Sequence, residues 1–114
     1  MRVIGDISRL DDSLSQKIRR IEEITKDNSL TLCIAINYGG RDEIVNAAKK
    51  IAEKVEAGEL SSSEITAETI SDNIYTAGMP DPDIIIRPSG EKRLSNFLLW
   101  QCAYSEFVFM DILW

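Results

Sequence analysis

Two rhythms of apolar positions run along the chain, and the switches between them mark its elements. Arg2 to Ile4 is a short β-type stretch that ends at Gly5-Asp6. Asp11-Asp12 and a Ser13-x-x-Gln16 capping box then announce a helix, with Leu14, Ile18, Ile21 and Ile24 along one face. Lys26-Asp27-Asn28-Ser29 breaks that periodicity. Leu30 to Ile36 is almost continuously apolar, the pattern of a strand covered on both faces of its sheet. Asn37-Tyr38-Gly39-Gly40 turns the chain into a second helix. There Ile44, Ala47, Ala48, Ile51, Ala52 and Val55 recur at helical spacing and Gly58 closes the end.

A third helix is expected from Thr66, stapled by Ile65 and Ile70, running past Ile74 and stopping by Gly78. Met79-Pro80-Asp81-Pro82 is a rigid connector, because neither proline can continue a helix or join a ladder. Asp83 to Ile86 leads a strand closed by Arg87. Ser95-Asn96 is placed to cap a buried helix over Phe97 to Ala103, and Glu106 to Met110 is the final strand. No internal repeat or low-complexity linker interrupts this alternation of strand and helix. The expectation is one α/β domain over residues 1–114, a mostly parallel β-sheet flanked by helices.

Composition narrows the function. With 114 residues, 44% hydrophobic and 28% charged, the chain reads as an ordinary globular protein. No apolar run approaches the roughly 20 residues that cross a bilayer, and the opening Met1 to Asp6 leaves no room for a signal peptide. Cys33 and Cys102 sit apart in apolar runs and read as buried free thiols, which suits a reducing cytoplasm. The absence of histidine excludes His-based acid–base catalysis and His-ligated zinc within this chain. Net charge is −6, yet Arg87 to Ser95 carries a local +2 from Arg87, Lys92 and Arg93 against Glu91. A basic spot on an acidic chain points to a small anionic ligand and away from nucleic acid.

In open parallel sheets, ligands bind beyond the carboxyl ends of the strands. Those ends are Gly5-Asp6, Asn37 to Arg41, and Arg87 onward. The last is the most specific: Arg87 and Arg93 supply two planar forks, and Ser89-Gly90 offers close-approaching backbone N–H groups. Ser95 would open a helix whose dipole favours an anion, and the set matches a diphosphate. The other reading is a solvated turn in which Ser95 only caps its helix. Glu106 reads either as a Mg²⁺ ligand beside a diphosphate or as an exposed carboxylate at a strand start. Asn37 and Arg41 flank two glycines, consistent with a crevice or with a plain turn and cap.

Three segments resemble the cis-prenyltransferases, the bacterial undecaprenyl diphosphate synthases among them: Arg2-Val3-Ile4-Gly5-Asp6, Asn37-Tyr38-Gly39-Gly40-Arg41-Asp42-Glu43-Ile44, and Asp81 to Glu106. The last contains Arg-x-x-Gly-Glu-x-Arg-x-Ser-Asn-Phe-Leu-Leu-Trp-Gln. The resemblance covers the whole chain but only the later part of that family's chain. It implies condensation of isopentenyl diphosphate onto an allylic diphosphate such as farnesyl diphosphate, with Mg²⁺, by a cytoplasmic homodimer that contacts the membrane peripherally through its lipid product. It further implies that Arg87, Arg93, Leu94 and Ser95 bind isopentenyl diphosphate. Glu106 would bind Mg²⁺ across the dimer interface, and Asn37, Arg41 and Glu91 would act in support.

Pro88 stands where the family usually has a small hydroxyl residue, and Lys92 where it often has His. The family's Asp-Gly-Asn-x-Arg-Trp stretch, which binds the allylic diphosphate and supplies the catalytic aspartate, is not in this sequence; nor is its arginine-rich tail. The expectation is therefore a C-terminal portion, inactive alone, whose partner is a second copy or an N-terminal half. The competing class is a non-catalytic partner subunit or truncated homologue acting as an interaction protein. A nucleotide-binding α/β domain is disfavoured, since no G-x-G-x-x-G or Walker loop is present.

Overall fold

A computed structural model describes all of residues 1–114, which divide into two compact units, Met1–Tyr38 and Gly39–Trp114. In the first, strand β1 (Arg2–Ile4) pairs in parallel with β2 (Cys33–Ala35), Val3 standing opposite Ile34. Helix α1 (Asp12–Thr25) connects them. Its N-cap is Asp11, whose carboxylate accepts the Leu14 N–H at 2.9 Å. The expected Ser13 capping box does not form, because that earlier cap places Ser13 inside the helix. The Glu22 carboxylate accepts the Val3 N–H at 2.8 Å, and Ile4 and Ile18 are buried.

The strand expected over Leu30 to Ile36 shortens to β2, and Leu30 is 81% exposed. With only the three residues of β1 to pair with, the ladder cannot extend further, and Ile34 and Ala35 stay exposed. Where β1 ends, Gly5 has φ +114°, and a Cβ there would lie 2.1 Å from the Ile36 carbonyl oxygen. Only glycine fits.

The second unit begins with α2 (Gly40–Glu56), followed by a 3-10 turn (Ser62–Glu64) and α3 (Ala67–Ser71). Strand β3 (Ile84–Arg87) pairs in parallel with β4 (Glu106–Phe109), and a second 3-10 turn (Gln101–Tyr104) lies between them in sequence. The core holds Ala47, Ile51, Ile74 and Cys102, and burial pushes the Cys102 thiol pKa up. Neither cysteine is in a disulfide, and Cys33 is half-buried.

At the centre of this unit is a charged residue. Glu43, on the buried face of α2, is 1% exposed. Its carboxylate accepts the Tyr75 N–H at 2.8 Å and Nε2 of the buried Gln101 at 3.1 Å. Gln101 Nε2 also donates to Thr76 Oγ1 at 3.0 Å. The helical pattern expected to run past Ile74 is lost after Ser71, where the Asn73 N–H donates to the Ile70 carbonyl and its Nδ2 donates to the Thr69 carbonyl at 2.8 Å. A continuing helix would give the Tyr75 N–H to the Ser71 carbonyl, but Glu43 takes it. Thr66 caps α3 as expected, in a reciprocal box with Thr69.

The helix expected from Phe97 to Ala103 is also absent. Ser95, Asn96 and Leu98 lie at φ +51°, +65° and +46°, in the left-handed region, so a right-handed helix cannot start there. Only the 3-10 turn follows. Trp100 is held from its edge, Nε1 donating to Ser71 Oγ at 3.0 Å. The architecture is α/β with parallel strands, in two two-stranded sheets. Ile84, Ile86, Phe107, Val108 and Phe109 remain exposed, although parallel strands ordinarily have both faces covered. No helix is long and apolar enough to cross a membrane.

Two outcomes follow from these contacts. Glu43→Ala removes the acceptor of the half-buried Tyr75 N–H and of one buried Gln101 N–H, and should destabilise the chain by about 2–4 kcal/mol, read as a lower urea midpoint. Gly5→Ala should cost about 1–3 kcal/mol or more from strain alone, read as a fall in Tm.

Candidate functional site

The site lies where β3 ends. The β3–β4 pairing brings Arg87 opposite Phe109, and the chain beyond Arg87 curls back over the strand end. The Arg87 guanidinium donates to the Arg93 main-chain carbonyl and, at 3.0 Å, to Ser95 Oγ. One side chain thus closes the loop from position 87 to 95. Arg93 in turn pairs with the Glu91 carboxylate.

A cavity of about 300 Å³ opens beside this loop, lined by Ile85, Ile86, Arg87, Arg93, Leu94, Ser95, Phe97, Phe109 and Trp114. Arg87, Arg93, Leu94 and Ser95, the four residues expected to bind substrate, all line it. Most of the remaining wall is aliphatic or aromatic. Two guanidiniums and a hydroxyl against an apolar wall suit an anion that carries a short hydrocarbon group.

Two parts of the expected anion grip differ in the structure. Ser89 and Gly90 turn the chain at φ +83° and +71°, but their N–H groups donate to the carbonyls of Ile112 and Met110, at 2.7 and 3.0 Å. Those amides are spent on the chain itself. Ser95 opens no helix, for the reason given above, so the charge here comes from arginine side chains and not from a helix dipole.

The other expected residues lie elsewhere. Glu106 is opposite Ile84, three positions along β3 from Arg87 and so roughly 10 Å down the strands. Nowhere in the chain do three or more Cys, Asp or Glu side chains gather as a metal cluster would require. Asn37 belongs to the first unit, where at φ +48° its Nδ2 donates to the Asp6 carbonyl at 3.0 Å. Asp6 itself accepts hydrogen bonds from the Ser8 hydroxyl and N–H, which hold its carboxyl below the usual range, with Arg9 adding a smaller effect. The main-chain N–H of Arg41 donates to Asn96 Oδ1 at 2.9 Å.

Asn96 is a contributor that sequence reasoning took only for part of a cap. Its main-chain carbonyl accepts the Gly40 N–H at 2.7 Å, so with Oδ1 it satisfies the first two amides of α2 from a distant loop. A Cβ at Gly39 would lie 2.9 Å from Asn96 Nδ2, and one at Gly40 would lie 2.9 Å from Leu99 Cγ. The adjacent glycines were the available signal: they mark a close approach whose partner the sequence does not name. Phe97, Phe109 and Trp114 were likewise not singled out as cavity residues.

Comparison with known proteins places this geometry. The family described as putative undecaprenyl diphosphate synthase matches residues 1–114. An isoprenyl transferase of Clostridium perfringens is 53% identical over 115 residues, covering 100% of this chain and 46% of that protein. The ditrans,polycis-undecaprenyl-diphosphate synthase ((2E,6E)-farnesyl-diphosphate specific) of Micrococcus luteus is 50% identical, again with 46% of its length covered. The crystal structure of lavandulyl diphosphate synthase from Lavandula x intermedia, in complex with dimethylallyl diphosphate, superposes with a TM-score of 0.93 at 43% identity. That match covers 98% of this chain and 49% of the other. A probable undecaprenyl diphosphate synthase from Campylobacter jejuni gives 0.82 at 44% identity, over 98% and 50% of the two chains. The chain spans about half the length of these relatives and belongs to the undecaprenyl diphosphate synthase family of prenyltransferases.

Proposed function

We propose that residues 1–114 form one partial cis-prenyltransferase domain that grips isopentenyl diphosphate for condensation onto an allylic diphosphate such as farnesyl diphosphate. The observation that carries this reading is the convergence of Arg87, Arg93, Leu94 and Ser95 on one mainly apolar cavity at the carboxyl end of β3. The two guanidiniums neutralise and orient the diphosphate, and the Ser95 hydroxyl adds a donor or acceptor beside it. Leu94, Phe97 and Ile86 offer the hydrocarbon end an apolar wall. Arg93 exchanges its Glu91 partner for the ligand when the site fills. Arg87, already tied to Ser95, holds the loop in register.

The family's metal, Mg²⁺, typically takes one or two protein carboxylates and completes its shell with phosphate oxygens and water. A lone Glu106 carboxylate fits one such position, and no fuller set is gathered in this chain. When bound, the ion would stabilise negative charge on diphosphate. The distance between Glu106 and Arg87 along the strands favours service of this carboxylate to a second copy's site, in a homodimer. We place the chain in the cytoplasm, with peripheral membrane contact through its product. The exposed Ile84, Ile86, Phe107 and Val108 also favour a second reading, a non-catalytic interaction subunit.

Calorimetry with isopentenyl diphosphate tests the grip. Arg93→Ala should weaken binding by about 1–3 kcal/mol through loss of a charged hydrogen-bonding partner, and unchanged affinity would remove Arg93 from the site. Primer extension with farnesyl and isopentenyl diphosphates tests completeness. The purified chain alone should give no product, and turnover would refute both its inactivity and the interaction-subunit reading.

A further inference from the structure

We propose that Asn96 is a positioning residue for the diphosphate site, setting the place of Ser95 and Arg87 by clamping their loop to the N-terminus of α2. This rests on the proposed reading of the cavity. Three observations carry it. The first is the clamp itself: the main-chain carbonyl and Oδ1 of one residue receive the N–H groups of Gly40 and Arg41, at 2.7 and 2.9 Å. Helix amides without an intrahelical partner need an acceptor. Here no N-cap side chain supplies one, since the N-cap is Gly39.

The second is conformational. Ser95 and Asn96 stand in consecutive left-handed conformations, at φ +51° and +65°. Such backbone is unfavourable for most residues and more accessible to asparagine. The turn aims Ser95 Oγ back at Arg87, 3.0 Å away, while Asn96 faces the helix. Two adjacent residues thus point to different tasks, and the second holds the first.

The third is the fit on the helix side. Any side chain at Gly39 or Gly40 would enter the space of Asn96 or Leu99. The absence of both Cβ atoms lets the loop approach α2 closely enough for the two hydrogen bonds. Loosening either side of the clamp should therefore disturb the anion site while leaving Arg87 and Arg93 chemically intact.

The test uses the full 114-residue chain and two substitutions. Asn96→Gly accepts the left-handed backbone and keeps the main-chain carbonyl, so it removes the side-chain amide and with it Oδ1. Gly40→Ala pushes from the helix side. Each is checked for folding by circular dichroism and then titrated calorimetrically with isopentenyl diphosphate, with Arg93→Ala alongside. Amide hydrogen exchange at Arg41 reports the clamp directly. The expected result is loss of Arg41 protection with at least a tenfold weaker affinity for both variants, in chains that remain folded. Lost protection with unchanged affinity would overturn the positioning role while Arg93→Ala still weakens binding. If Arg93→Ala has no effect either, the cavity reading falls and this inference falls with it. If Asn96→Gly keeps Arg41 protected, the clamp is not formed by Oδ1 and the proposal is wrong.

Discussion

A carboxylate removed from water must find donors, and in the second unit Glu43 finds them in two separate irregular segments. Placed on the inner face of α2, it draws in the Tyr75 amide and the Gln101 side chain. The first contact keeps the Tyr75 amide out of any helix continuing beyond α3. The second anchors the start of the Gln101–Tyr104 turn, which precedes β4. An unpaired buried charge would be severely unfavourable. The segments that supply donors are therefore held to the helix, and apolar neighbours such as Ala47, Ile51 and Cys102 pack around that arrangement.

The candidate site depends on a related economy of backbone groups. Segment 95–100 does not form a helix, so its polar groups serve other elements: Asn96 satisfies α2, Trp100 reaches Ser71, and Ser95 meets Arg87. The loop over β3 is therefore determined at several points without regular secondary structure. Arg87 and Arg93 bring positive charge to the edge of an apolar cavity. That pairing of charge with an apolar wall suits a hydrocarbon diphosphate.

The strands show the opposite condition. Parallel pairing satisfies the backbone groups that β3 and β4 turn toward each other, yet many of their apolar side chains are exposed. A chain spanning about half of each relative, with a TM-score of 0.93 to one of them, keeps the local geometry of the family while exposing strand surface. Such surface favours association.

Periodicity and capping residues alone determined the extent of α2, the break after α1, the Thr66 cap and the position of β3 and β4, because these depend on neighbours three or four residues apart, or on alternation along a strand. The loop's own residues likewise pointed to Arg87, Arg93 and Ser95, which share one short segment, and the family resemblance added Leu94. Tertiary contacts decided what local rules could not. Nothing in its neighbours along α2 marks Glu43 as buried; its donors lie more than 30 residues away. Ser95-Asn96 had the composition of an N-cap, but Asn96 caps a different helix, 55 residues back in the chain. The 30–36 run was apolar enough for a long covered strand, but a three-residue partner limited it. In each case the local preference was real. A distant polar group, or the lack of a neighbouring strand, supplied the larger free-energy difference.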